Sequence, residues 1–371
     1  MIKFTLLLMI LNISVASTPK TLSEAKIEIN RFGKKRLVRF LREFVRSSRP
    51  NRMVGQKGHQ KAVDFLLKSL KKLKGPSATV SLETFLPDTS WAKTTYEKDF
   101  ENQVGSKFSQ THTLYRKWRR FTDDMKVTLD SYKNVQGKNI IWEKKGTEKP
   151  NEVLLIGLHY DNIVRDPISF KIKKNAASDG ANDNGAAVAA ALGVVDILRK
   201  STLKKTVRIV FFDYEELGFL GSRYHVENYI KSEKAKTEKI VGMFNLEMIG
   251  QDTIHNDEDK KLGNMHAYIR KPSSKGYRND QQFAQKMFRL GKRINRKVNF
   301  ELVSSGWDRS DHIHFWERGI PAITFTQNWD KDFDSRTYHT SADVVESLNF
   351  NTFYNSFEFI AGSTLGWALG L

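Results

Sequence analysis

Residues 207–212, VRIVFF, form an apolar run broken only by Arg208, and the run passes directly into Asp213, Glu215 and Glu216. A β-branched and aromatic run of this length reads as a strand buried on both faces. Adjacent carboxylates at the end of such a strand repel one another and take up protons unless a positive charge meets them. Whatever fold the chain adopts must bring that compensation to one strand end.

The same arrangement recurs along the chain. Residues 153–158 (VLLIGL) are followed by His159, Tyr160 and Asp161, and residues 241–244 by Asn245, Leu246 and Glu247. Residues 320–325 lead through a loop to Tyr338 and His339, and Asp183 lies in GANDNG just ahead of an apolar helix at 186–198. Residues 139–142 read as a further strand. Helices are expected at 23–47, 58–74, 281–293, 312–318 and 353–369 from their apolar spacing. Strands alternating with helices imply an α/β fold with a mostly parallel, mixed central sheet covered by helices on both faces. Ligand sites in such sheets lie beyond the carboxyl ends of the strands, where these acids and imidazoles converge.

A divalent cation is the economical answer to such crowding, because it keeps carboxylates ionised and turns repulsion into coordination. The chain has no cysteine, so the ligands must be His, Asp and Glu, a set that suits zinc and also admits cobalt or manganese. Asp161 is placed to hydrogen-bond the far nitrogen of His159. His59, His112, His225, His255 and His266 show no partner pattern and read as surface or core residues.

Residues 1–17, MIKFTLLLMILNISVAS, combine an early lysine, an apolar run and small residues, the pattern of a secretory leader. Export to a periplasmic or extracellular location is therefore expected, with residues 18–371 forming one domain. Residues 88–134 are polar, aromatic and weakly periodic, and read as an insertion packed on that domain; residues 251–280 read as loop. The formal net charge of +19 predicts a weak attraction to anionic surfaces. The basic helices lack the interleaved aromatics of a stacking platform, so no specific nucleic-acid partner is expected.

In combination the motifs resemble those of the M28 family of zinc peptidases over roughly residues 37–87 and 135–368. LLIGLHYDN, GANDNGAAVAAAL, FFDYEELGFLGS, NLEMIG and YHTSADVVESL follow in the family's order. The resemblance implies a zinc-exopeptidase fold and two zinc ions per chain. It implies that Asp183 bridges the ions, that His159 and Glu247 complete one, and that Glu216 and His339 complete the other. It further implies Glu215 as general base, Asp161 as the residue orienting His159, and Tyr338 as an oxyanion donor. Ser310, Asp311 and His312, in the family-like SDHIHFWERGIPA, would line the pocket. Glu247 departs from the aspartate more usual at that position, which leaves the second ion less secure. The implied reaction is removal of N-terminal residues from peptides. Two other readings of the fold stay open: a glutaminyl cyclase with one zinc on Asp183, Glu216 and His339, and a non-catalytic binding module.

Overall fold

The computed structural model describes residues 18–252 and 263–371. The expected leader at 1–17 and His255 lie outside the described residues. An eight-stranded sheet has the order β1-β2-β4-β3-β5-β8-β6-β7. Its strands are β1 (Ala78–Phe85), β2 (Gly137–Lys144), β3 (Lys149–His159), β4 (Lys205–Phe212), β5 (Lys239–Leu246), β6 (Gly263–Tyr268), β7 (Val298–Val303) and β8 (Ala322–Gln327). The inner strands β4, β3, β5 and β8 run parallel. The edges are mixed: β1 and β2 are antiparallel, and β6 is antiparallel to β8.

The strand period of two divides the core. Along β3, Leu154, Ile156 and Leu158 join one apolar cluster, while Val153 and Leu155 join another across the sheet. The first face carries α6 (Ala186–Leu198) and α11 (Phe350–Leu369). Every residue of α6 is buried, because a helix apolar all round needs cover on every side. That cover comes from α1 (Leu22–Phe32), α2 (Lys34–Ser47) and α3 (Lys57–Leu73), with α9 (Tyr277–Ile294) alongside α11. The one acid in α6, Asp196, is met by Arg36 of α2 at 2.8 Å. The opposite face carries α7 (Leu220–Lys231), the short α8 (Lys234–Thr237) and α10 (Ile313–Glu317).

Several sequence expectations change. The single helix at 23–47 is two helices, broken at Gly33, whose φ of 72° a side chain would resist. Residues 251–280 are not all loop: they contain β6 and the start of α9. Strands β1 and β7 and helix α7 were not anticipated. Residues 88–134 contain α4 (Thr89–Phe100) and α5 (Thr113–Tyr132). These two helices pack Ala92, Phe121, Met125 and Leu129 onto Tyr214, Leu217 and Leu220, so they form a roof over the carboxyl edge of the sheet.

Three histidines read as partnerless have partners. His59 Nε2 lies 2.8 Å from Asp213, His225 Nδ1 lies 3.0 Å from Glu83, and His266 Nδ1 lies 2.9 Å from the Tyr268 hydroxyl. His112 caps α5 by accepting the Leu114 N–H.

Candidate metal centre

The carboxyl ends of β3, β4 and β5 deliver His159, the Glu215–Glu216 pair and Glu247 to one point. The segment before α6 brings Asp183, and the loop after β8 brings His339. Asp183 stands between the two imidazoles: Oδ1 is 3.3 Å from His159 Nε2, and Oδ2 is 3.1 Å from His339 Nε2. Glu247 Oε1 lies 3.4 Å from His159 Nε2, and Glu216 Oε2 lies 3.0 Å from His339 Nε2. Two donor groups thus share one carboxylate. His159, Asp183 and Glu216 also fall together within 4.8 Å, as do His159, Glu215 and Glu247, so the two groups abut.

Ligands held tetrahedrally at about 2.0–2.1 Å from zinc stand roughly 3.3 Å apart. The separations above match that edge length. The set also needs cations: Asp183, Glu215, Glu216 and Glu247 are all buried, and among the described residues their ion-pair partners are the two imidazoles of His159 and His339. The residues present therefore fit divalent metal.

The electrostatics express the same deficit. Burial raises the Glu216 carboxyl to about 7, with Asp183 adding to the effect and His339 opposing it. Burial also drives Glu215 well above the carboxylate range, aided by Glu247 and Glu216. Burial opposes charge on His339, but Glu216 and Asp183 outweigh it and lift the imidazole to about 9. His159 likewise rises well above its usual value, as Glu215 and Glu247 overcome burial. Burial works against ionised Asp183, yet hydrogen bonds from both histidines hold its carboxyl well below the ordinary range.

Several of these residues are held from behind. The Asp161 carboxylate accepts the N–H of Glu215 at 3.2 Å and of Glu216 at 3.3 Å, fixing the peptide that carries both acids. His159 Nδ1 is 3.2 Å from the main-chain carbonyl of Asp161, while the Asp161 carboxylate stands at 3.5 Å. Glu247 reaches the cluster despite its extra methylene, and Ser310 Oγ donates to its Oε2 at 2.8 Å. Ser310 is in turn set by Asn245 Nδ2 at 2.8 Å. Asp311 and His312 lie fully buried beside Ser310; His312 Nε2 bonds the Trp307 carbonyl at 2.8 Å and does not face the cluster.

Some supporting residues were not singled out from sequence. Asp343 accepts the N–H groups of Asn182 and Asp183 at 2.8 and 3.0 Å. Buried Arg52 donates to the carbonyls of Tyr160 and Gly180 at 2.7 and 2.9 Å and also to that of Asp179. It thereby organises the turn before Asp183. Gly180 sits there with φ 49°, and a Cβ would meet Arg52 Nη2 at 2.5 Å. These partners are remote in sequence, and only the S-A-D-V context of Asp343, close after His339, could have pointed to one of them.

The cluster opens into two adjoining cavities. One, of about 580 Å³, lies under α4 and α5 and is lined by Tyr96, Phe100, Trp118, Glu215, Tyr338 and His339 among others. The second, of about 260 Å³, reaches Asp183 and Glu247 between Trp307, Trp329 and Phe333. Tyr338 stacks on His339 with ring centroids 3.7 Å apart and borders both cavities. Tyr96 of the roof donates its hydroxyl to the Glu216 carbonyl, tying the roof to the cluster.

The chain is similar to several known proteins. A leupeptin-inactivating enzyme of Streptomyces exfoliatus is 29% identical over 255 residues, covering 63% of this chain and 49% of that protein. The aminopeptidase YwaD of Bacillus subtilis is 26% identical over 228 residues, covering 60% and 43%. The chain thus spans about half the length of the curated relatives it matches. The fold is that of a Bacillus subtilis zinc aminopeptidase (TM-score 0.60, 19% identity, 90% of this chain and 94% of that one). It is equally that of a Bacteroides thetaiotaomicron glutaminyl cyclase (TM-score 0.61, 15% identity, 92% and 98%). The family model for peptidase family M28 matches residues 139–364, a span that holds every residue of the cluster, and the chain belongs to that family.

Proposed function

We propose that the protein is an exported, zinc-dependent aminopeptidase that holds two ions. The observation that carries this reading is Asp183, one oxygen facing His159 and the other facing His339. His159, Asp183 and Glu247 would hold one ion, and Asp183, Glu216 and His339 the other. When bound, the ions lower the pKa of water and polarise the substrate carbonyl.

The chain's own residues do the rest. Asp161 fixes the peptide joining Glu215 and Glu216, so the two side chains take separate tasks. Both glutamates border both cavities, but Glu216 stands 3.0 Å from His339 Nε2 while Glu215 stands further off, 3.9 Å from His159 Nε2. The Glu215 carboxylate takes a proton from the attacking water and delivers it to the leaving amine as the carbon–nitrogen bond breaks. The water oxygen ends in the new carboxylate. Tyr338, at the cavity wall, is positioned to donate its hydroxyl to the developing oxyanion. The roof of α4 and α5 limits water around the reacting bond, and its aromatic side chains offer contact to the substrate. Export rests on the leader-like pattern of residues 1–17.

The test pairs elemental analysis with substrates. Protein purified without chelator should carry two zinc ions and shorten unblocked peptides from the N-terminus, leaving N-acetylated ones intact. His159→Ala should lose both metal and activity. Ammonia release from a Gln-initiated peptide without shortening would instead establish the cyclase reading, and protein devoid of metal would end both.

A further inference from the structure

The charge of this chain is not spread evenly. The outward side of α2 carries Lys35, Arg39, Arg42 and Arg46, all exposed. Their spacing of four, three and four residues places them on one stripe, opposite the buried Leu37, Leu41 and Phe44. On α3, which packs beside α2, the exposed residues include Lys57, Lys61, Lys68, Lys71 and Lys72, again opposite a buried stripe of Ala62, Leu66 and Leu70. Against these cations the two helices expose only the acids Glu43 and Asp64. Each stripe runs about 20 Å.

The far side of the sheet differs. There Arg223 pairs with Asp88, Lys236 with Glu233, and Arg318 with Glu227. Helix α1, next to α2 in the chain, is also mixed, with Glu24 and Glu28 set against Lys26 and Arg31. The α2–α3 face therefore carries a strongly positive field, opposed only locally by Glu43, 3.8 Å from Arg39, and by Asp64; α9 carries a second basic stripe with Arg278, Lys286, Arg289 and Arg293 exposed.

We propose that the α2–α3 face docks the protein on a membrane surface rich in anionic phospholipid. None of the exposed large apolar side chains belongs to α2 or α3, so the face offers neither an aromatic platform for bases nor a wedge for insertion. Contact is electrostatic, peripheral and reversible by salt. The cavities open at the carboxyl edge of the sheet, under α4 and α5, while α2 and α3 cover its broad face. Docking leaves the mouth of the site clear.

Cosedimentation of the full chain with phosphatidylcholine vesicles, with or without about 30 mol% phosphatidylglycerol to make the surface negative, tests this. Binding is expected only with phosphatidylglycerol, and should weaken steeply between about 50 and 200 mM NaCl. Each basic residue at such a surface contributes about fivefold. Reversing Arg39, Arg42, Lys71 and Lys72 to Glu should therefore reduce affinity by more than the roughly 600-fold to which four such contributions multiply. Neutralising the same four to Gln should produce a smaller loss with unchanged thermal stability, and K234E with K236E on the far face should change little. Equal loss in that control, undiminished binding by the reversed variant, or binding to phosphatidylcholine alone overturns the proposal. Tighter binding to a DNA duplex than to the anionic vesicles at equal salt overturns it in favour of nucleic acid.

Discussion

Removing divalent ions should make the protein less stable as pH rises, and restoring zinc should reverse the trend. In the folded chain burial lifts Glu216 from 4.5 to about 7. Between those values the folded state holds a proton that the unfolded chain has released, so stability falls as pH rises through this window. The shift corresponds to about 3 kcal/mol. His339 is lifted from 6.5 to about 9. Its stabilisation is fully present below pH 6.5 and is lost as pH rises through 9. The two groups face each other at 3.0 Å, so their effects overlap, and this pair contributes about 3 kcal/mol rather than twice that; Glu215, His159, Asp311 and Asp343 are raised as well and act in the same direction. Asp183 is shifted the other way, and its contribution is lost only as pH falls below the ordinary carboxylate value, outside this range. Zinc needs deprotonated ligands, so its affinity increases with pH. Thermal melts of chelator-treated protein at pH 5.5, 7 and 8.5 should show a midpoint dropping by several degrees. The gain on adding zinc should widen across the same series. An apo midpoint that is flat or rising, or a zinc gain that shrinks with pH, would refute the reasoning.

Other outcomes follow from the same geometry. Glu215→Gln should keep its metal yet lose on the order of a hundredfold or more in turnover, since it removes a proton carrier and no ligand; wild-type hydrolysis by this variant would remove Glu215 from the mechanism. Ser310→Ala frees the Glu247 carboxylate from its 2.8 Å donor and should weaken zinc about tenfold to a hundredfold, read by competition with a chelating dye; unchanged affinity would show that Glu247 needs no support. Arg52→Met takes the guanidinium donor from the carbonyls of Tyr160 and Asp179, and leaves that of Gly180 with the Gly185 N–H alone. It should cost about 3 kcal/mol in urea unfolding, and a loss under about 1 kcal/mol would deny Arg52 its organising part.

Much of this was legible in the sequence because strand ends and chemistry coincide. The apolar runs ahead of His159, Asp213 and Glu247 are β3, β4 and β5, and the rule that sites lie beyond parallel strand ends brought their acids together. Strands β1 and β7 escaped because edge strands bury one face at most. In β1, Ser81 and Glu83 interrupt any continuous apolar signal. The broken helix at Gly33 shows the limit of periodicity, which continues across a change of direction when both segments bury the same kind of stripe.

The roof illustrates a further gap. Helix α4 has a polar, aromatic surface because much of it faces a cavity and not a core. The helical period is correspondingly weak there, and the segment looks irregular in sequence. The aromatic residues that obscured its pattern are the ones that line the site.

By itself the sequence determined which side chains are available, the order in which strands present them, and that a carboxylate-rich set without cysteine calls for a cation. Local apolar runs and spacing encode those properties directly. How the set is divided, which local patterns leave open and the family resemblance only implies, depends on tertiary structure. The orientation of Asp183 between His159 and His339, the clamp of Asp161 on the Glu215–Glu216 peptide, and the support from Ser310, Asp343 and Arg52 each join residues far apart in the chain. Such contacts depend on how strands and loops pack in three dimensions, and no short-range pattern records them.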